Sequence, residues 1–228
     1  MNDTKHLDLV ASWQNSPLAY IESVWGLVPQ PLTCDEEHEH KLRCYAEFQK
    51  GRHITWQQTI VLKGLEKALR GEAPLRISVA SGHGVGKDGL LALIIHWFLT
   101  TRMNSQVGCT APTTGQIYDI LWKEIEVWHQ KMPEALKKLF EWSTTHYRIK
   151  EKPQTWWARA RVAKREEPEA FAGLHAENLL FVGDEASGIP DEIFKVGEGS
   201  LTTQNAIIIL VSNPRRSEGY YYETHHKD

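Results

Sequence analysis

Hydrophobic and polar positions change rhythm at about residue 75. Before it the spacing is helical. The segment SPLAYIESVWG predicts a helix with Ser16 as N-cap, Pro17 in the first turn and Gly26 as the stop, and TWQQTIVLKGLEKALRG predicts a second one, capped by Thr55 and ended by Gly71. After it, short β-branched runs alternate with longer helical stretches. LRISVA reads as a strand, KDGLLALIIHWFLTTR as a buried helix, SQVGCTA as a strand, and TTGQIYDILWKEIEVWHQKM as a helix capped by Thr113 or Thr114. WSTTHYRI and TWWARARV each predict one strand. NLLFVGDE, a helix opened by Pro190 in IPDEIFKVGEG, and the strand AIIILVSN follow. Such alternation predicts an α/β fold with a mostly parallel sheet covered by helices on both faces. The expected division is a helical N-terminal region over residues 1–72 and an α/β core over residues 73–228.

Composition narrows the class. A chain of 228 residues, 41% hydrophobic and 24% charged, can bury the core of one medium domain with a small appendage. No apolar run reaches the length of a membrane span and the first thirty residues hold no hydrophobic signal core, so no membrane association is expected and the expected compartment is the cytoplasm. Cys34, Cys44 and Cys109 lack CxxC spacing, which argues against a disulfide framework. Cys34, His38, His40 and Cys44 are zinc-like in type, but on a helix they fall on two faces, and a solvated helix is the better reading. A net charge of −3 gives no general nucleic-acid signal. Locally, however, Arg148, Lys150, Lys152, Arg159, Arg161, Lys164 and Arg165 cluster around Trp156 and Trp157. This stretch suits phosphates or DNA, or equally a solvated hairpin with aromatic core residues.

The chemistry begins at SGHGVGKDGLL. Between a strand and a helix, Gly82, Gly84 and Gly86 let the backbone aim its amides at phosphate oxygens, and the following helix presents its positive end. Lys87 is placed to reach β- and γ-phosphates. Two positions depart from the usual phosphate-binding loop: Ser81 stands where the first Gly belongs, and Asp88 where a Ser or Thr hydroxyl would hold magnesium. A carboxylate at Asp88 can still ligate magnesium, yet it adds negative charge beside a polyphosphate. Downstream, NLLFVGDEAS delivers Asp184 and Glu185 at the end of a buried strand, where ligands bind in open α/β sheets. Asp184 would hold magnesium and Glu185 would polarise the attacking water. AIIILVSNP ends in Ser212 and Asn213, polar groups suited to sensing a γ-phosphate. Upstream, Gln57 could pair with adenine, with Trp56 as a flat surface nearby; a surface Gln beside a core Trp competes with that reading.

The stretches ITWQ, SGHGVGK, CTAPTTGQ, FAGLHAENLLFVGDEASGIPDEIF, EGSLTT and VSNP followed by GYYYETHHK, in this order, resemble the ATPase domain of large terminase subunits, the DNA-packaging motors of tailed bacteriophages and prophages. The resemblance implies a RecA-like P-loop ATPase of the ASCE type that uses ATP and Mg2+ to pump double-stranded DNA into a capsid in the host bacterial cytoplasm. Its implied partners are the portal protein, the small terminase subunit and further copies of itself, as a ring when assembled and a monomer in isolation. Carried over by position, Gln57 matches the adenine-binding motif, Ser81, Gly82, His83, Gly84, Val85, Gly86 and Lys87 the phosphate loop, Asp184 and Glu185 the magnesium and catalytic acids, and Ser212 with Asn213 the coupling motif. Motors of this kind often stabilise the γ-phosphate with an arginine. The loop contains none, which directs attention to Arg159 and Arg161, two apart on one strand face, acting in a neighbouring subunit or gripping DNA. The C-terminal nuclease domain of such subunits is expected to be absent. The alternative to a motor is a nucleotide-binding module whose degenerate loop supports little or no turnover. A small-molecule kinase is disfavoured, because Glu185 directly after Asp184 suits water activation.

Overall fold

The computed structural model describes residues 10–29, 53–171, 173–200 and 205–226. These belong to two compact units, Met1–Ala73 and Pro74–Asp228.

In the first unit, helix α1 spans Pro17–Trp25 and helix α2 spans Trp56–Leu69, and the short strands β1 (Val28–Pro29) and β2 (His53–Ile54) pair in parallel. The Ser16 hydroxyl accepts the Ala19 N–H, and Gly26 closes α1 at φ 68°, a left-handed angle that glycine adopts without steric cost. At α2, Thr55 and Gln58 form a reciprocal capping box, the Thr55 hydroxyl accepting from the Gln58 N–H and the Gln58 amide oxygen from the Thr55 N–H. Ser16 also donates to Glu66 at 2.6 Å. Cys34, His38, His40 and Cys44 lie outside the described residues.

The second unit is a seven-stranded sheet. Its strands are β3 (Arg76–Ala80), β4 (Gln106–Ala111), β5 (Phe140–Trp142), β6 (His146–Ile149), β7 (Trp157–Val162), β8 (Asn178–Asp184) and β9 (Asn205–Ser212), in the spatial order β3-β9-β8-β4-β7-β6-β5. The first five in that order run parallel, and β6 and β5 add on antiparallel. Helix α3 (Lys87–Thr101) is apolar nearly all round and correspondingly buried, from Leu90 to Leu99. Helices α4 (Lys123–Gln130), α5 (Glu134–Lys137), α6 (Asp191–Ser200) and α7 (Tyr220–His226) complete the unit. Among the described residues no helix is long and apolar enough to cross a membrane.

Three local features were not among the expected elements. WSTTHYRI is not one strand. Ser143 turns the chain, its hydroxyl accepting the N–H groups of Thr145 and His146, so β5 and β6 form a hairpin. The helix after β4 opens with a π-helical stretch, Gly115–Trp122, before continuing as α4, with the Thr113 hydroxyl accepting the Gln116 N–H. The C-terminal GYYYETHH segment forms α7, docked on β3 by Tyr221, which donates to the Val79 carbonyl at 2.8 Å.

Candidate nucleotide-binding site

Parallel pairing brings the C-terminal ends of β3, β9 and β8 to one edge. The register sets Ala80 opposite Ser212 and Asp184 opposite Val211, and the Ser81 N–H extends the ladder by donating to the Ser212 carbonyl at 3.0 Å. From that edge the glycine loop springs to α3. Gly84 and Gly86 sit at φ 73° and 76°, where a Cβ would be strained, and a Cβ on Gly82 or Gly84 would meet nothing within 4 Å. The loop is thus an open backbone cradle ending at a helix N-terminus. The Ser81 hydroxyl is buried without a hydrogen-bond partner, a polar atom at the loop's first position that a ligand oxygen would satisfy.

Lys87, the first residue of α3, is 8% exposed and folds back over the loop. Its ammonium donates to the Gly82 carbonyl at 3.2 Å and lies 3.5 Å from a Glu185 carboxylate oxygen. Glu185 is one of two described non-glycine residues with positive φ, at 47°. That left-handed conformation costs about 1–2 kcal/mol for an L-residue, and two contacts hold it. The Glu185 N–H donates to Asp184 at 2.9 Å, and the Ser212 hydroxyl lies 3.4 Å from the second Glu185 oxygen. The kink ends the strand abruptly and turns the carboxylate toward Lys87. A close approach beyond it has no slack: a Cβ on Gly188 would stand 2.7 Å from the Pro112 ring.

Asp184 is 1% exposed and hydrogen-bonded to Asp88. Burial first, then the negative charge of Asp88 and that hydrogen bond, raise its pKa far above the carboxylate range, to about 8. Asp88 and Asp184, with Glu185 next in the chain, therefore place carboxyl oxygens beside the phosphate loop, the donor type magnesium prefers. Magnesium at such sites is held by one or two carboxylates together with phosphate oxygens, which the Asp88–Asp184 pair can supply its share of.

Ser212 is fully buried. Its hydroxyl accepts the Ser187 N–H at 3.1 Å, and Ser187 in turn donates to the Asn213 carbonyl at 3.0 Å, so the end of β9 is stitched to the turn after Glu185. The Asn213 amide lies 2.9 Å from Nδ1 of His83 in the phosphate loop. Arg215 completes this strap with a guanidinium nitrogen 2.9 Å from His83 Nε2. Sequence reasoning missed Arg215, which is 132 residues from its partner. Its only signal was a cation closely following a candidate coupling motif.

The remaining candidates belong to other elements. Gln57 is exposed on the first turn of α2, in the first unit, and beside it Trp56 is 39% exposed, not a core residue. Arg159 and Arg161 occupy one face of β7, alternating with the buried Ala158 and Ala160. Arg159 stacks over the Trp157 ring at 4.2 Å, whereas Arg161 is exposed. Trp156 donates to the Leu99 carbonyl at 2.9 Å, so the aromatics of the basic stretch serve packing.

A glycine loop between β3 and α3, an acid pair ending β8, and the strand of Ser212 between them lie at one edge of a mostly parallel α/β sheet of RecA-like type. No family model matches the chain. It is 31% identical over 186 residues, 80% of its length, to the probable terminase large subunit of Enterobacteria phage P7, and spans 36% of that protein. In fold it is similar to the large terminase of a thermophilic bacteriophage, with a TM-score of 0.55, 14% identity, and 74% of this chain and 41% of that one covered. The large terminase ATPase domain of Thermus phage P74-26 aligns with a TM-score of 0.52 and 17% identity, over 73% of this chain and 66% of that one. Over 80% of its length the chain is thus a homologue of a terminase large subunit.

Proposed function

We propose that this chain is the ATPase motor part of a phage large terminase, coupling ATP hydrolysis to translocation of double-stranded DNA into a capsid. The observation that carries the reading is the convergence of Lys87, Glu185, Asp184 and Asp88 beside an open glycine loop, in a chain of this family. In this reading Lys87 leaves the Gly82 carbonyl for the β- and γ-phosphate oxygens, and the loop amides and the α3 N-terminus bind the rest of the polyphosphate. Asp184 and Asp88 would hold magnesium, which would supply positive charge to the phosphates. Glu185, held out of the strand by its kink, accepts hydrogen bonds from the attacking water and aligns it. Ser212 braces Glu185, and Asn213 links that brace to the phosphate loop through His83. Gln57 is proposed as the adenine contact, and Arg159 or Arg161 as the arginine offered to a neighbouring subunit. Portal protein, small terminase subunit, DNA and further copies in a ring are the proposed partners, in the host bacterial cytoplasm. Nuclease chemistry needs metals held by several carboxylates, and the acids that converge here are taken up by the nucleotide site, so we expect this chain not to nick DNA. Magnesium- or manganese-dependent cleavage of plasmid by purified chain, lost on a point substitution in it, would contradict this.

The test is ATP hydrolysis with and without double-stranded DNA. Turnover lost in Glu185→Gln with nucleotide affinity retained is the expected result. Magnesium-nucleotide binding with no hydrolysis under either condition would favour the second reading, a binding module, which Asp88 supports by crowding negative charge around Asp184.

A further inference from the structure

Arg215 is a cation aimed at a loop built for anions. Among the described residues it makes no ion pair, and its polar partner is an imidazole nitrogen of His83, the third residue of the phosphate loop. A guanidinium can only donate, so this contact is a single hydrogen bond to one ring nitrogen, weaker than the bidentate pairing that arginine makes with phosphate. It is therefore a displaceable resting place.

The mounting of Arg215 suits a moving group on a fixed base. Two residues earlier the chain is locked: the Asn213 carbonyl accepts the Ser187 hydroxyl at 3.0 Å, and the single Ser212 hydroxyl proton lies between that carbonyl at 3.0 Å and a Glu185 oxygen at 3.4 Å. From Pro214 to Glu218 the backbone is irregular and the side chains are exposed, before α7 resumes the packing. Electrostatic need points the same way. Lys87, the one cation within the loop, is already shared with Glu185, so a bound triphosphate would leave that carboxylate and the terminal phosphate competing for one ammonium.

We propose that Arg215 is a phosphate contact within its own subunit: held on His83 when no nucleotide is bound, its guanidinium transfers to the terminal phosphate of a nucleoside triphosphate. The inference rests on the reading of Ser81–Asp88 as a nucleotide site, and it adds how that site tells triphosphate from diphosphate. A diphosphate lacks the outermost group and leaves Arg215 on His83. Because Asn213 links His83 to the base of the strap, departure of Arg215 also changes the partners of a residue tied, through Ser212, to Glu185.

The experiment is titration calorimetry of the full chain with magnesium and either a non-hydrolysable ATP analogue or ADP. Arg215→Ala should weaken the analogue at least about fivefold, the loss of one charge-assisted phosphate contact, and leave ADP within about twofold. Arg216→Ala, the same charge removed one residue on, should leave both ligands within about twofold. Equal weakening of both ligands by Arg215→Ala, no weakening of either, or the same loss in Arg216→Ala would overturn the proposal. If the unsubstituted chain binds neither ligand, the nucleotide-site reading falls and the proposal with it; if it binds both alike, only the role of Arg215 falls.

Discussion

At the scale of single residues the determining feature is a carboxyl pair where a phosphate loop ordinarily has one acid and one hydroxyl. Asp184 carries its proton up to about pH 8 because it is buried against Asp88 and beside Glu185. Its folded pKa lies above the ordinary 3.8, so between those values the folded chain holds a proton that the unfolded chain has lost. Stability should therefore fall as pH rises from about 4 to about 8 and level off above. Chemical denaturation across that range checks the slope, and Asp184→Asn should remove this contribution. Magnesium-nucleotide binding near neutral pH should expel the same proton, since magnesium ligates the carboxylate; calorimetry in buffers of different ionisation enthalpy measures it. Asp88→Ser removes a negative charge from both the polyphosphate and Asp184. We expect about three- to tenfold tighter magnesium-nucleotide binding, screening leaving about 1 kcal/mol of the Coulomb gain. Equal or weaker binding would mean that Asp88 is the better magnesium ligand. That Lys87, Asp184 and Glu185 come together was legible because each sits at a fixed offset from a glycine loop or a buried strand. The proton on Asp184 was not, because it arises from the depth of burial in the folded chain and then from the approach of Asp88, far away in the sequence.

At the scale of elements, the strands and helices that show strong periodicity match their sequence segments, and local chemistry explains the exceptions. Thr55, Ser16 and Gly26 acted through contacts within a few residues, which is why their helix ends could be read directly. The Ser143 turn was hidden inside a run of β-formers, and the π-helical opening at Gly115 has no propensity signature. The kink at Glu185 was equally invisible, because a glutamate at φ 47° is braced by the end of β9, far away in sequence. Elements around this kink are packed with little tolerance. Gly188→Ala would drive a methyl into the Pro112 ring, which cannot rotate away, and should cost about 1–3 kcal/mol by overpacking. Gly64→Ala, in the interior of α2 with open space around it, should instead stabilise by about 0.5–1 kcal/mol. Unfolding midpoints of the two variants, moving in opposite directions, test whether the approach of Pro112 or a general intolerance of alanine sets the difference.

At the scale of the whole molecule, sheet order decides what Arg159 and Arg161 can reach. Their strand β7 is separated from β3 by β4, β8 and β9, four inter-strand steps of about 4.8 Å each, or roughly 19 Å. That exceeds the reach of an arginine side chain to the start of the loop at β3, whereas the acids ending β8 lie two steps, about 10 Å, from β7. The roles proposed for this face are the nucleotide of an adjacent subunit or a phosphate of DNA. Arg159 is restrained by its stack on Trp157, and burial together with the positive charges of Arg161 and Arg148 lowers its pKa. Arg161 is exposed, which makes it the better placed of the two to reach beyond the surface. If it acts between subunits, Arg161→Ala should reduce turnover of the assembled ring by about 10³-fold while leaving the affinity of the isolated chain for nucleotide nearly unchanged. Arg159→Ala should cost less. If the face grips DNA, both substitutions should instead lower the salt dependence of DNA binding, by a slope of about 0.9 per lost phosphate contact, with basal hydrolysis near normal. Measuring turnover on assembled rings and DNA affinity at several salt concentrations, with the same two variants, separates these outcomes. Loss of turnover that appears in the monomer as strongly as in the ring would sink the intersubunit role for this face.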